Sequence, residues 1–319
     1  AIEIGPLHGP LGENGFKQLG LVSNALETRL RALNPVAIHA NFGKSGAYAL
    51  PIARKLNIPL VVTYHGGDAT KTSNTKDSFL RVYNRRRQAL WDEAALLLPV
   101  SDFIRRELLA KGAPDDKMVV QYNGVDPDKF TPGTKENILL FAGRWMEKKG
   151  IQTLIRALTQ IDKDILKDWR IRLLGDGSLK ETLLPLLRDA GVEAELPGWI
   201  PADEMPRHFE EAAIVCVPSQ RARSGDAEGL PMVCMEAMFA GCALAATRHA
   251  GIPECVLEAR TGYLVDEGDS AALAIRLTQL MKDPALTRKM GEEGRALATD
   301  NFNLNIQSKK LQDLILSVV

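Results

Sequence analysis

The alternation of strand-like and helix-like segments is the feature of this sequence that most constrains its fold. Short apolar runs recur along the chain, and segments whose apolar residues have helical spacing separate them. Strands joined through helices pair in parallel by right-handed crossovers, so the pattern predicts an α/β protein with parallel sheets. At 319 residues, the chain exceeds the ~250–300 at which a single core usually divides, and we expect two domains.

The first half predicts a shortened α/β domain. A helix over 16–33 is indicated by apolar residues at helical spacing, namely Phe16, Leu19, Val22, Leu26, Leu30 and Leu33. The remaining predicted elements are strands near 36–40, 59–64, 95–100 and 117–121, and helices near 45–56, 78–91 and 102–111.

The second half predicts a larger domain that follows a linker. Residues 126–135 are rich in turn formers and lack an apolar period, which is typical of a linker. The predicted strands lie near 138–142, 170–174, 193–196, 213–217, 242–246 and 262–265, and the last helices near 270–282, 285–298 and 304–316. The domain prediction is therefore 1–125, linker 126–135, 136–302, and a closing helix within 303–319 that packs back on the first domain.

Composition excludes several classes of protein. Apolar residues make up 45 % and charged residues 25 % of the chain, as in ordinary globular proteins. No apolar run approaches the ~20 residues of a membrane-spanning helix, and the amino terminus lacks a signal-peptide pattern. The four cysteines have no metal-binding spacing, and we expect reduced, mostly buried thiols in a cytoplasmic protein without zinc: Cys216, Cys234, Cys242 and Cys255.

Charge is divided unevenly although the total is zero. Residues 1–133 contain 17 Lys and Arg against 13 Asp and Glu, and the remainder contains 23 against 27. The run Arg81–Arg87 has two interpretations: a solvated helix face, or contact with anionic lipid at the inner face of a membrane. Nucleic acid is not an expected partner, because the chain is neutral overall and has no base-reading motif.

Two carboxylates, Glu228 and Glu236, bracket the predicted start of a helix. Pro231 suits the first helical turn, and Gly229 lets the backbone approach a ligand. Amide groups near Leu230, Met232 and Val233 then point at an anion, while carboxylates accept hydrogen bonds from hydroxyls. This combination favours a sugar nucleotide. The alternative is one helix-terminal charge and one solvated residue.

Basic residues follow the first strand of the second half. Residues 138–142 read as a buried strand, and Gly143, Arg144 and Lys149 come next. Arg144 and Lys149 can neutralise a leaving nucleoside diphosphate without a metal ion.

Together the motifs resemble the retaining glycosyltransferases of family 4. The motifs are Thr63–Asp68, Asn123–Asp126, Gly143-Arg144 with Lys149-Gly150, Gly175–Gly177, Pro197–Trp199, Pro218-Ser219, and Glu228 with Glu236. The resemblance spans nearly the whole chain and implies the GT-B fold, with two Rossmann-like domains facing across a cleft. It also implies metal-independent transfer, with retention, of a sugar from a UDP- or GDP-sugar to a glycan or lipid-linked acceptor, as in bacterial exopolysaccharide, capsule and lipopolysaccharide synthesis.

The resemblance also implies roles for individual residues. The residues expected at the reacting centre are His65, Arg144, Lys149 and Glu228, with His65 contacting the donor sugar. The residues expected to bind the donor are Gly143, Gly175, Trp199, Ile200, Gly229, Leu230, Pro231, Met232, Val233 and Glu236. Among them, Glu236 accepts hydrogen bonds from the ribose, and Trp199 and Ile200 lie beside the base.

One departure keeps other functions open. Members of the family usually begin with a strand and a glycine-rich turn, and residues 1–15 contain glycines without a preceding buried run. We hypothesise that about one βαβ segment is missing through truncation or divergence. The alternatives are a sugar-nucleotide epimerase of the GT-B fold and a nucleotide-sugar-binding module with impaired catalysis. NAD chemistry is disfavoured, because Gly175–Lys180 breaks the dinucleotide-binding pattern at its last position.

Overall fold

The computed structural model describes residues 20–71 and 78–319, and these form two compact units. Unit 1 contains the described residues through Gln121 together with Lys309–Val319, and unit 2 is Tyr122–Ser308. The division therefore falls before the predicted linker, and residues 126–135 belong to unit 2.

Unit 1 contains a parallel sheet, which among the described residues has the strand order β1-β2-β3. Register pairs Ile38 with Leu60 and Val61 with Leu96. The elements are α1 Asn24–Arg31, β1 Ile38–Asn41, α2 Gly43–Leu56, β2 Leu60–Tyr64, α3 Gly67–Thr70, α4 Ser78–Glu93, β3 Leu96–Pro99 and α5 Asp102–Leu109.

Two predicted elements of unit 1 differ in the structure. The first helix begins at Asn24 because the Ser23 hydroxyl caps it, accepting a hydrogen bond from the Leu26 N–H at 3.1 Å. Of the residues predicted before that cap, 20–23 are not helical, and 16–19 lie outside the described residues, as do 1–15. The strand predicted over 117–121 is instead an extended segment that forms a single bridge, Met118 with Leu97, after a 3₁₀ turn at Asp115–Lys117.

Unit 2 contains a six-stranded parallel sheet in the order β6-β5-β4-β7-β8-β9. The elements are β4 Glu136–Ala142, α6 Ile151–Leu158, α7 Lys163–Leu166, β5 Arg170–Leu174, α8 Lys180–Asp189, β6 Glu195–Gly198, α9 Met205–Glu211, β7 Ala212–Val217, α10 Met232–Phe239, β8 Ala243–Thr247, α11 Ile252–Cys255, β9 Gly262–Val265, α12 Ser270–Lys282, α13 Pro284–Asn301 and, continuing into unit 1, α14 Leu304–Leu316. Strand order reverses between β4 and β7, which is the topological switch point of a Rossmann sheet.

Alternating side chains of β4 enter two apolar cores, one on each face of this sheet. Leu139 and Phe141 belong to one core, whereas Ile138 and Leu140 belong to the other. Helices cover both faces, so the strand is apolar along its length and its carboxyl end opens into loops. The sequence predicts most strands of unit 2 to within two residues for this reason.

The predicted linker packs within unit 2. Phe130 is buried, and its ring lies 5.6 Å from that of Phe209. Lys135 donates a hydrogen bond to the Phe209 carbonyl at 2.8 Å. All four cysteines are buried and free. Within the described ranges, the helices lack the length and apolarity required to span a bilayer.

Candidate functional site

The loops that follow β4 and β7 meet at the switch point of unit 2. Gly150 lies at φ +68°, and a Cβ at this position would stand 1.6 Å from the Pro218 carbonyl oxygen. Only glycine permits both this conformation and this approach. The 143–150 loop is therefore fixed beside Pro218-Ser219, where α/β sheets of this order bind ligands.

Lys149 and Glu228 form an ion pair at this edge. The Lys149 ammonium nitrogen lies 2.9 Å from Oε1 of Glu228, and the two side chains are 21 % and 12 % exposed. Lys148 lies 3.4 Å from Asp226 and 3.9 Å from Glu228. The structure thus brings together two residues that the sequence analysis named and adds Lys148 and Asp226, each close in sequence to one of them.

Helix α10 begins directly after these residues. Pro231 is extended at ψ 124° and immediately precedes the helix, so Met232 is the first helical residue, one residue after the Pro231 near which the start was predicted. The first turn of a helix presents N–H groups with no intrahelical partner and a partial positive charge. This turn contains Met232 and Val233 and follows Glu228 closely in sequence, and Cys234 in the same turn interacts electrostatically with both Lys149 and Glu228.

Glu236 lies one turn into α10 and is partly buried. Burial raises the pKa of the Glu236 carboxyl to about 7, and the positive charges of Lys129 and Lys149 act in the opposite direction. A carboxyl with this pKa changes charge near neutral pH. Its electrostatic interaction with Lys149 places it in the same charged environment as Glu228.

The glycines after β4 and β5 allow a second close approach of backbones. Gly175 lies at φ +102°, and a Cβ there would stand 2.0 Å from the Gly143 carbonyl oxygen. The Trp145 N–H also donates to the Asp176 carbonyl at 2.8 Å. The predicted donor-binding residues Gly143 and Gly175 are therefore in direct contact.

Three predicted site residues of unit 2 do not contact the ion pair. Arg144 is exposed, and no hydrogen bond or ion pair joins its guanidinium to a side chain in the described part of the chain. Trp199 follows edge strand β6 and is 75 % exposed. Ile200 packs against the apolar core that contains Ile138.

The sequence analysis missed His249, which contacts the backbone of Glu228. His249 is 1 % exposed, and its Nε2 lies 3.2 Å from the Glu228 backbone nitrogen. Its Nδ1 lies 2.6 Å from Oε1 of Glu267. The available signal was position: His249 follows the carboxyl end of β8, where polar side chains reach the ligand edge of a parallel sheet.

In unit 1, His65 follows the carboxyl end of β2. Its Nε2 lies 3.0 Å from Oδ1 of Asn41, and its ring lies 4.6 Å from that of Phe42, measured between centroids. Burial lowers the pKa of His65, while Asp68 acts in the opposite direction. His65 is therefore a mostly neutral imidazole at neutral pH.

Asp68, the last residue of the Thr63–Asp68 motif, organises the turn around His65. Its Oδ1 accepts hydrogen bonds from the N–H groups of His65 at 3.2 Å and Gly66 at 2.9 Å. Its Oδ2 accepts from the Gly43 N–H at 2.9 Å. Asp68 was assigned no role from the sequence, although aspartate is a turn-forming residue.

The basic run on α4 is only partly available to a ligand. Arg86 donates to the Ala47 carbonyl at 3.0 Å, and the Arg87 guanidinium lies 4.9 Å from the centroid of the Trp91 ring. Arg81 and Arg85 are exposed. Two of the four arginines therefore stabilise unit 1 itself.

Groups of three or more His, Cys, Asp or Glu side chains placed to hold a metal ion do not occur in the parts of the chain that the structure describes.

Comparison with solved structures defines the class as GT-B. A structure of Anabaena Alr3699/HepE in complex with UDP and glucose has a TM-score of 0.77 at 22 % identity, over 98 % of this chain and 85 % of that chain. Sucrose-phosphate synthase from Thermosynechococcus elongatus has a TM-score of 0.76 at 21 % identity, over 97 % of this chain and 81 % of that chain. The chain has the α/β GT-B fold of glycosyltransferases.

The family follows from the sequence. Residues 125–297 match the family model "Glycosyl transferases group 1", and residues 2–129 match "Glycosyltransferase Family 4". The amylovoran biosynthesis glycosyltransferase AmsK of Erwinia amylovora is 30 % identical over 86 % of this chain and 68 % of its own length. The putative colanic acid biosynthesis glycosyltransferase WcaL of Salmonella typhimurium is 31 % identical over 88 % of this chain and 70 % of its own length. The chain belongs to the group 1, family 4 glycosyltransferases.

Proposed function

We propose that this glycosyltransferase moves a sugar, with retention, from a UDP- or GDP-sugar to a glycan or lipid-linked acceptor, without a metal ion. The observation that carries the proposal is the Lys149–Glu228 pair at the switch point, next to the start of α10. It supplies a cation for a diphosphate and a carboxylate for sugar hydroxyls within one small region.

Negative charge develops on the diphosphate as the glycosidic bond breaks. Lys149 and the amide end of α10 are the groups proposed to stabilise that charge, and the exposed Arg144 on the same loop adds a second cation. Interactions that strengthen as the charge develops accelerate the reaction, because they favour the transition state over the bound substrate. Cationic side chains at the diphosphate are the reason to propose metal-independent transfer, and full activity in excess EDTA is the expected result.

Retention requires attack on the face from which the diphosphate leaves. In the proposed step, the bond from the anomeric carbon to the diphosphate oxygen breaks, and a bond to the acceptor oxygen forms. The proton of the acceptor hydroxyl passes to the departing diphosphate. Glu228 and the Gly229–Leu230 backbone hold the donor sugar's hydroxyls, and Glu236 accepts from the ribose.

Relatives indicate the acceptor class. AmsK and WcaL carry the names of exopolysaccharide biosynthesis enzymes, and we propose a growing glycan or its lipid-linked precursor as acceptor here. Such an acceptor places the reaction in the cytoplasm at the inner membrane face. Arg81 and Arg85 of α4 are exposed, and they are the residues that we propose contact an anionic lipid surface.

The test is nucleotide release from a panel of UDP- and GDP-sugars, with and without oligosaccharide acceptors. K149A and E228A are compared with K167A and D164A, which disrupt an ion pair of similar length, 3.0 Å, whose side chains are 63 % and 85 % exposed. We expect K149A and E228A to lose about 100-fold or more in turnover, and the control variants to match the wild type.

Three outcomes would contradict the proposal. Epimerised donor without release would indicate an epimerase. Tight donor binding with neither product would indicate a binding module. Inversion at the anomeric carbon, read by NMR of the first product formed, would contradict retention.

A further inference from the structure

His249 links two loops of unit 2 through its two ring nitrogens. A backbone N–H can only donate, so Nε2 of His249 must accept from Glu228 at 3.2 Å. The proton of the neutral ring is then on Nδ1, which donates to Oε1 of Glu267 at 2.6 Å. Both contacts together define a single tautomer.

Glu267 in turn contacts the loop that contains Glu228. Its second oxygen, Oε2, accepts a hydrogen bond from the Arg221 N–H at 2.7 Å. The Gly251 N–H donates to the Gly229 carbonyl at 2.9 Å, next to the His249 contact. The 219–229 loop is therefore bound at both ends to residues after β8 and β9.

The contacts of His249 are accompanied by a strained backbone conformation at the next residue, and such strain is not expected to arise by chance. Ala250, the residue after His249, lies at φ +50°, a left-handed conformation that alanine rarely adopts. The imidazole is almost fully buried, and burial lowers the pKa of His249, which favours the neutral ring that can accept from Glu228. A protonated ring would face the Glu228 N–H with a second N–H.

We infer that His249, in its Nδ1–H tautomer, is a positioning residue that fixes the Glu228 backbone and so keeps the Glu228 carboxylate beside Lys149. The inference rests on the proposed function for its kinetic consequence, but the positioning itself is a property of the chain. Glu267 is the second member of this device, because it sets the tautomer.

Two substitutions of His249 each retain the contact of only one ring nitrogen. In H249Q, the side-chain amide reaches the position of Nε2 and retains an acceptor for the Glu228 N–H. In H249N, the shorter amide reaches only the position of Nδ1 and retains the contact with Glu267. His208 on α9 precedes β7 and therefore lies toward the opposite edge of the sheet, so H208Q and H208N are matched controls.

The first measurement is hydrogen exchange at the Glu228 amide, which does not require activity. We expect the amide to be protected in the wild type and in H249Q, and to exchange at least about tenfold faster in H249N, the effect of losing roughly 1.4 kcal/mol of local stability. Equal exchange in H249N and H249Q would overturn the inference.

The second measurement is donor turnover by the same variants. We expect kcat to fall between about 10- and 100-fold in H249N, with a smaller change in KM, and to recover most of its value in H249Q. Losses that merely follow melting temperature, and are equal in the two variants, would show that His249 acts only in packing.

The two proposals fail in different ways. A wild type that releases nucleotide from no donor would contradict the proposed function, while the Glu228 exchange rates would still decide the role of His249. Turnover that depends on Glu228 and Lys149 but not on the choice between H249N and H249Q would contradict the inference alone.

Discussion

At the scale of single residues, the Lys149–Glu228 ion pair balances a loss of hydration against the attraction between the two charges. Neither side chain is more than about a fifth exposed, so both charges have lost part of their hydration, and each depends on the other for compensation. A diphosphate would offer Lys149 a new anion, and a sugar would offer Glu228 new donors. The ion pair therefore holds in place the two side chains that we propose bind a nucleotide sugar, Lys149 at the diphosphate and Glu228 at the sugar.

This view predicts a measurable coupling between Lys149 and Glu228. A double-mutant cycle with K149A and E228A is expected to give about 1–2 kcal/mol in the free energy of unfolding, because both charges of this ion pair are largely removed from water. The same cycle at Asp164 and Lys167, whose side chains are mostly exposed, is expected to give no more than about 0.5 kcal/mol. Urea unfolding measures both, and equal couplings would contradict the prediction.

Glu236 predicts a pH dependence of stability. Its pKa in the folded protein is about 7, raised from an ordinary 4.5, so the folded state binds the proton more tightly than the unfolded state. Stability is therefore lost as pH rises from about 4.5 to about 7 and stays level above, by on the order of 3–4 kcal/mol at ~1.4 kcal/mol per pKa unit. The uncharged variant E236Q lacks this loss.

The measurement for Glu236 is urea unfolding of the wild type and E236Q at pH 5 and pH 8. The two proteins share every other titrating group, so the difference between their pH dependences isolates Glu236. An identical loss in both would assign the dependence to other residues.

Lys149 and Glu228 were named from separate motifs, and the structure brings them to within 2.9 Å of each other; their roles at a diphosphate and sugar site stay predictions. Lys149, Glu228 and Glu236 stand in motifs whose spacing indicates a diphosphate and sugar site. His249 and Glu267 could not be assigned in this way, because their contacts with Glu228 and Arg221 depend on the packing of β8 and β9 beside β7. Arg144 was named for its charge, its position after the buried strand and its motif with Gly143, and its side chain is exposed without a protein partner among the described residues.

At the scale of secondary-structure elements, glycine determines how closely the site loops can approach. Gly150 and Gly268 both have positive φ, +68° and +79°, but a Cβ at Gly268 would meet nothing within 4 Å. A Cβ at Gly150 would overlap the Pro218 carbonyl. Substituting alanine at the two positions therefore separates the free-energy cost of the left-handed backbone from the cost of displacing a loop.

We expect Gly268→Ala to cost about 1–2 kcal/mol, the ordinary penalty of a left-handed alanine. Gly150→Ala should cost at least about 2 kcal/mol more, because the β4 and β7 loops must separate, and it should lower turnover as well. Chemical denaturation and nucleotide release measure the two effects. Equal costs at both glycines would mean that the contact with Pro218 is not important for stability.

Element boundaries were predictable where the chain carries its own signals. Arg170–Leu174 and Ser270–Lys282 have the predicted bounds, because a buried apolar run and a capped helical period define them locally. The first helix was predicted too long, since apolar spacing continues before Ser23 while the cap determines the start. Residues 117–121 were predicted as a full strand but form only one bridge, with Leu97. The extent of strand pairing there depends on tertiary context, which local composition does not contain.

At the scale of the whole molecule, each unit has its own core and its own parallel sheet. The family resemblance predicted the GT-B fold, and the structural comparisons confirm it. The proposed diphosphate groups all belong to unit 2, whereas His65 belongs to unit 1. A nucleotide without a sugar should therefore stabilise mainly unit 2.

We predict that UDP or GDP stabilises unit 2 selectively. At 100 times its dissociation constant, the nucleotide should add about 2.7 kcal/mol to the unit that binds it. Hydrogen exchange by mass spectrometry should show protection in 143–150 and 228–236, with little change at 60–65. Protection confined to unit 1 would contradict the assignment of the donor site.

The most direct measurement is a crystal structure of this chain with a bound nucleoside diphosphate. We expect the β-phosphate to lie within hydrogen-bond distance of the Lys149 ammonium group and of the first amides of α10, with the ribose hydroxyls at Glu236. A diphosphate bound elsewhere, with the Lys149–Glu228 ion pair unchanged, would contradict this expectation.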